Sequence, residues 1–263
     1  MPVILTDSHA NLYLDQFSAD RLDLMDATLK AGVKRIFLPA IDSGTHQNLL
    51  ELADQFSDSC FPMMGLHPCS VDASTVDYEI GIIEEFHSKR KFVAVGEIGI
   101  DLFWDQSQLA LQQKIFAYQI DLAIKLKLPI VIHSRSAFKE CYEIVKSKKA
   151  TAEGKNLRGI FHCFSDGVEE AQKVIDLGGF LMGIGGVLTF KNSGVDKVVA
   201  HFGLEHFVLE TDAPYLAPVP FRGKRNESAY LVHIATKMAE IKGVSIETVA
   251  KVTTENSKTI FGI

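Results

Sequence analysis

The sequence is short of positive charge. Its 263 residues carry 27 Lys and Arg against 33 Asp and Glu, a formal net charge of −6. No broad basic surface is implied, so electrostatics alone would not hold long duplex DNA, although a local basic patch or bound cations can still attract phosphates. Paired cysteines are also missing. Cys60, Cys69, Cys141 and Cys163 are scattered, and none forms a C-x-x-C pair. That argues against a disulfide framework or a structural zinc and favours a reducing compartment. No apolar run approaches the roughly 20 residues of a membrane span. The opening MPVILTDSHANLYLD has neither a basic flank nor a long apolar core, so no secretory signal is expected. Gly/Ser-rich linkers, low-complexity segments and sequence repeats are lacking too. The expectation is one cytoplasmic domain over residues 1–263, off the membrane and with no obligate protein partner implied.

What is present is a 47% apolar fraction, enough for a sizeable core. It falls in short runs that read as strands at 3–9, 35–39, 61–67, 92–98, 129–133, 159–164, 180–186 and 206–212. Helical patterns lie between them at 18–32, 46–57, 106–128, 136–149, 167–178 and 194–202, with two more at 225–241 and 245–260. Continuous apolar strands, each leading to a helix, indicate a parallel sheet. Eight such units in about 260 residues suit a (β/α)8 TIM-type barrel of the α/β class; an open doubly wound sheet is the alternative.

The polar residues are placed with a pattern. The first strand ends in His9, the third in His67, the fourth in Glu97, the fifth in His133 and the sixth in His162; the eighth ends in Glu210 and Asp212. In a barrel these strand ends converge on one mouth, where active sites of the fold lie. A lone strand-end histidine is usually structural. Three histidines and two carboxylates converging on one mouth favour a metal site instead. Residue 11, on the same side of a strand as His9, is an amide, Asn11. Glu97 is the best-placed carboxylate to bridge two cations, and Asp212 is the candidate general base.

Further candidates flank this set. Arg222, Lys224 and Arg225 form a basic loop after the last strand, approached through Pro214, Pro218 and Pro220. The loop is expected beside the mouth as a phosphate contact, with a plain solvated loop as the alternative. Arg135 and His67 are further substrate-binding candidates. Tyr13, Phe103, Trp104, Phe164 and Tyr215 can stack on bases, although packing of loops onto a barrel is the commoner use of such residues. The GIGG run at 183–186 lacks a Walker lysine and reads equally well as tight packing.

The ordered set DSH (7–9), GLHP (65–68), GEIGID (96–101), IHSR (132–135), FHCFS (161–165) and ETDAPYLAP (210–218), extended by PFRGKRNE (220–227), resembles the TatD family of metal-dependent hydrolases. The resemblance covers nearly the whole chain and implies a TIM-type barrel with one or two divalent ions (Mg, Mn, Zn or Ni). It maps the family's metal ligands onto His9, Glu97, His133, His162 and Asp212, with Asn11 where the family has a second histidine. A neutral amide oxygen there suits magnesium or manganese better than zinc, so weaker occupancy of that half is expected. The activity implied is a deoxyribonuclease, often 3′→5′ exonucleolytic, acting on DNA or another phosphodiester through metal-activated water. The alternatives are an ester hydrolase such as a D-aminoacyl-tRNA deacylase, or a weakly active or non-catalytic nucleotide-binding barrel.

Overall fold

Strand and helix alternate along the chain in the computed structural model, which describes residues 3–263. The strands are β1 (Leu5–Asp7), β2 (Val33–Leu38), β3 (Cys60–Pro62), β4 (Val95–Asp101), β5 (Ile130–Arg135), β6 (Gly159–Phe161), β7 (Phe180–Ile184) and β8 (Phe207–Leu209). The helices that follow them in turn are α1 (Arg21–Lys30), α2 (His46–Gln55), α3 (Val76–Lys89), α4 (Leu109–Leu126), α5 (Phe138–Lys149), α6 (Val168–Asp176), α7 (Val195–His201) and α8 (Leu231–Lys242). An extra helix, α9 (Ile246–Phe261), packs across α8, β8 and β1.

All ladders are parallel and run in two arcs, β1-β2-β3 and β4-β5-β6-β7-β8. Two seams join the arcs. At one, Met64 bridges Val95 and the Gly96 N–H donates to Met64 O at 3.2 Å. At the other, Ala10 bridges Ala213, Ser8 N donates to Leu209 O at 2.9 Å, and Asp212 N donates to His9 O at 2.9 Å. The sheet therefore closes on itself as a (β/α)8 barrel, and the open doubly wound alternative falls, since an open sheet would leave two unjoined edges.

Period-two alternation explains how this closure builds a site. Phe37, Met63, Ala94, Val131, Ile160 and Val208 form one buried cluster, distinct from the larger one beneath the helices. Side chains two residues further along a strand point the same way. Two residues after Val131 on β5 stands His133, and the segments that continue β6 and β8 bring His162 and Glu210 beside it. The barrel axis thus changes from apolar packing to polar ligands within one step of the pleat. α9 contributes Ile260 and Phe261 to the apolar layer, with Phe261 stacked on Phe37 at 3.8 Å between centroids. Each large apolar side chain so buried contributes about 1.5–3 kcal/mol.

Several expected strands are too long. The ladders of β1, β3, β6 and β8 stop at Asp7, Pro62, Phe161 and Leu209, before the polar residues assigned to them. Beyond these points the backbone leaves the ladder to start the mouth loops, with single bonds such as His162 N to Ile132 O at 3.0 Å. Cys163 (φ 48°) and Asp212 (φ 56°) take left-handed backbone there, a strained conformation that collects at functional sites. β4 starts at Val95 rather than 92 and runs on to Asp101. Helix α3 occupies a stretch not singled out from the sequence. All four cysteines are free, and among the described residues no helix is long and apolar enough to cross a membrane.

Candidate metal centre

Glu97 is the centre of the mouth. It is buried, and imidazoles from four loops and strands reach its two oxygens. Oε1 faces His133 Nδ1 at 2.9 Å, His162 Nε2 at 3.2 Å and His67 Nε2 at 3.4 Å. Oε2 faces His9 Nε2 at 3.0 Å. His9 and His162 lie face to face, with centroids 3.6 Å apart. Gly99 is what lets β4 approach β5 so closely. Its φ is +146°, and a Cβ there would fall 2.0 Å from His133 O.

Distance alone sorts the ligand atoms into His9–Glu97–His162 and His67–Glu97–His133. The outer contacts sort them differently, a hydrogen bond for His133 and a close ionic approach for His162. His133 turns Nε2 to Asp101 Oδ2 at 2.8 Å, and His162 turns Nδ1 to Glu210 Oε1 at 3.2 Å. A carboxylate on the outer nitrogen favours a proton there, so the inner nitrogen, which faces Glu97, is the one that a cation can claim by displacing its proton. His67 has the opposite arrangement. The Cys69 N–H donates to its Nδ1 at 3.1 Å, so the neutral ring must carry its proton on Nε2, toward Glu97. His67 is therefore a hydrogen-bond donor to the cavity, whereas His133 and His162 present ligand nitrogens.

This donor set fits divalent cations. Both ring nitrogens of His9 are buried without a hydrogen-bond partner, despite the 3.0 Å approach of one to Glu97. A neutral imidazole and a carboxylate sharing a close contact without hydrogen-bond geometry are matched by a cation that accepts both lone pairs. The electrostatics agree. Burial alone would raise the Glu97 carboxyl, but the charges of His9, His162 and His67 and the His133 hydrogen bond outweigh it and hold it well below its usual range. Burial likewise opposes charging of His162, yet Glu97 and Glu210 push it well above its ordinary value. The site demands positive charge, and protons and divalent cations compete to supply it.

Asp212 stands at the edge of the set, with Oδ1 3.9 Å from His9 Nε2. Burial raises its carboxyl above the usual range against the lowering effect of His162 and His9. Asn11 turns its amide nitrogen to Asp212 Oδ1 at 3.5 Å, and its Oδ1 accepts from the Tyr13 hydroxyl at 3.3 Å. Asp7 locks the seam from behind. Its carboxylate accepts from Thr211 N (2.9 Å), Thr211 Oγ1 (2.6 Å) and Ser228 Oγ (2.6 Å), while burial raises its pKa to about 6. β8 and β1 are thereby joined directly under Asp212 and His9.

A cavity of about 730 Å³ opens over these groups, lined among others by Asn11, His67, Glu97, His133, His162 and Asp212. Arg135 and Trp104 line its rim. The basic loop does not reach it, which corrects the expected phosphate role of Arg222, Lys224 and Arg225. Arg225 binds both oxygens of Asp20 at 2.8 and 2.6 Å, reaches Glu227 at 3.0 Å, and donates to Gln16 O at 2.8 Å. It is a strut between the loop after β8 and the segment before α1. Arg222 lies 4.2 Å from the Phe190 ring centroid and Lys224 lies 6.0 Å from that of Phe221. The GIGG run is packing: a Cβ on Gly183 would fall 2.1 Å from Glu210 Oε2. Tyr13 and Phe164 are buried in the core.

Asp101 is the functional residue that the sequence reading passes over. Its signal is present in GEIGID, because residues 97, 99 and 101 share one face of β4. Its carboxyl is held at about 2, since the His133 hydrogen bond and charge outweigh burial.

The comparisons with known proteins span the same stretch of chain. The family described as TatD related DNase matches residues 6–262. The metal-dependent hydrolase YabD of Bacillus subtilis is 36% identical over 262 residues, covering 99% of this chain and 100% of its own. The metal-dependent hydrolase YcfH of Escherichia coli is 31% identical, covering 99% of this chain and 97% of its own. The crystal structure of YJJV, a TatD homolog from E. coli, superposes with a TM-score of 0.91 at 28% identity over 100% of both chains. With a closed barrel, a shared buried glutamate and this likeness end to end, the chain belongs to the TatD-related family of metal-dependent hydrolases.

Proposed function

We propose that this protein is a phosphodiesterase that removes nucleotides from the 3′ end of DNA, with divalent cations held at Glu97. One observation carries the reading. Glu97 turns Oε1 to His133 and His162 and Oε2 to His9, so one carboxylate can serve two cations. Two cations on a shared carboxylate suit a phosphodiester, whose attacking and leaving oxygens both need charge stabilisation. Bound there, the cations supply Lewis acidity to the phosphoryl oxygens and make water acidic enough to attack at neutral pH.

The chain's own residues do the rest. His9, Glu97, His133 and His162 hold the charge, with Asp101 hydrogen-bonded to the outer nitrogen of His133 and the Glu210 carboxylate facing that of His162. Asp212 accepts the proton of the attacking water on its carboxylate, and its raised carboxyl suits that task. The Asn11 amide donates to Asp212 Oδ1 and so orients the acceptor. His67 presents Nε2–H to a phosphoryl or leaving oxygen. Cytoplasmic residence is part of this reading, in keeping with four free cysteines.

A second reading rests on Asn11. Its amide nitrogen faces Asp212, which leaves the first half of the centre to His9, Glu97 and Asp212. A one-cation centre of that kind suits a carboxylic ester, such as a D-aminoacyl-tRNA, better than a phosphodiester. The test is end-labelled single-stranded DNA against D-aminoacyl-tRNA, each with added Mn or Mg. Stepwise shortening of the DNA, lost in Glu97→Ala, is expected. Intact DNA under every cation refutes the nuclease, and release of the amino acid under those conditions supports the deacylase.

A further inference from the structure

We propose that Trp104, Phe103 and Arg135 form a stacking subsite at the cavity rim that takes an unpaired base of the strand flanking the scissile phosphate. The proposal rests on the nuclease reading above and adds the residues that hold the flanking nucleotide. Trp104 and Phe103 are 72% and 55% exposed, and their rings meet edge to face at 4.9 Å. Aromatics that merely pack a loop onto a barrel are covered, as Tyr13 and Phe164 are here. These two are not.

The Arg135 guanidinium stacks at 3.8 Å from the Phe103 centroid and 5.3 Å from that of Trp104. Among the described residues it meets no carboxylate within ion-pair distance. Its charge is thus free for a phosphate while its plane extends the aromatic surface. A nucleotide offers the matching pair, a flat apolar base and an anionic phosphate.

The platform is also set in register with the metal centre. Asp101, which holds His133 through Oδ2, accepts the Phe103 N–H on Oδ1 at 3.0 Å. Leu102 N donates to Arg135 O at 2.9 Å, tying the loop to β5. One carboxylate therefore positions both a ligand imidazole and the stacking loop. A base inside a duplex has its faces covered by its neighbours, so only an unpaired end can use the platform. Stacking of this kind tolerates any base.

The chain has 1 Trp, so its intrinsic fluorescence reports the platform directly. Titrations of the whole protein with a single-stranded oligonucleotide, the same strand carrying abasic sites at its 3′ end, and a blunt duplex form the test. The single strand should quench Trp104 saturably, and the other two should bind about tenfold more weakly. In Trp104→Ala, KM for the single strand should rise about tenfold while kcat changes less, and Trp104→Phe should recover most of the loss. Equal quenching by the abasic strand, or an unchanged KM in Trp104→Ala, overturns the subsite. Hydrolysis of DNA with a silent Trp104 rejects the subsite and leaves the nuclease standing; saturable, base-dependent quenching without hydrolysis keeps the subsite and rejects the nuclease.

Discussion

The substitution Asp101→Asn should weaken cation binding by about one to two orders of magnitude without unfolding the protein. The carboxylate makes two hydrogen bonds of different kinds. Oδ2 meets His133 Nε2 at 2.8 Å, and Oδ1 accepts the Phe103 N–H at 3.0 Å. The amide oxygen of the new side chain keeps the second bond. Its amide nitrogen then meets His133 Nε2–H donor against donor, so the ring loses its acceptor and is driven to carry its proton on Nδ1, the nitrogen that faces the cation site. A charge-assisted hydrogen bond of this type is worth about 1.5–3 kcal/mol, a factor of roughly 10 to 150. Outer carboxylates on ligand histidines show a similar effect on metal affinity, about 10–100-fold. The backbone stays in place, because Gln112 Oε1 accepts from Asp101 N at 2.8 Å and Gln112 Nε2 donates to Asp101 O at 3.2 Å. The assay is competition for Mn or Zn against a chelator of known affinity, with a urea unfolding curve as control. Affinity within about twofold of wild type, in a variant whose unfolding midpoint is unchanged, refutes the role assigned to Asp101.

Three further outcomes are expected. Gly183→Ala places a Cβ 2.1 Å from Glu210 Oε2, against a carboxylate with no exposure, so it should cost about 1–3 kcal/mol in urea unfolding and lower activity with it; wild-type stability would exclude the packing account. Asn11→His should raise zinc affinity and the metal-to-protein ratio by atomic spectroscopy, since an imidazole replaces an amide that now faces Asp212; an unchanged ratio would mean that the amide already serves the site as built. His46 is buried with both ring nitrogens unpartnered, and burial lowers its pKa below 6.5 against the opposing charges of Glu79 and Asp42. The unfolded chain therefore takes up this proton first as pH falls, so its contribution is complete above about pH 6.5 and is lost below it. Urea midpoints at about pH 7.5 and 5.5 should separate less in His46→Phe than in wild type, and equal separations would refute the assignment.

Much of the site is legible because it obeys a local rule. Parity along β5 sets His133 two residues beyond the buried Val131, and His133 does reach Glu97. The same rule applied to GEIGID would have found Asp101. Where the ladders end, parity ends too. His67 lies five residues past Pro62, and its role depends on a backbone N–H from Cys69 that no periodicity reveals.

The alternation of strand and helix, a barrel as the favoured closure, and the histidines and carboxylates His9, Glu97, His133, His162 and Asp212 could be read from the chain. Those follow from apolar periodicity and from polar side chains at the ends of otherwise apolar strands. What each polar group faces came from the fold. Glu97 and His133 are 36 residues apart in the chain, and their contact exists only because Gly99 lets β4 close on β5. Arg225 looked like a phosphate ligand until the fold set it against Asp20, 205 residues away. Arg135, on β5, kept its charge free at the rim of the cavity. A side chain's type is local, but the partner that fixes its proton or neutralises its charge comes from another turn of the barrel.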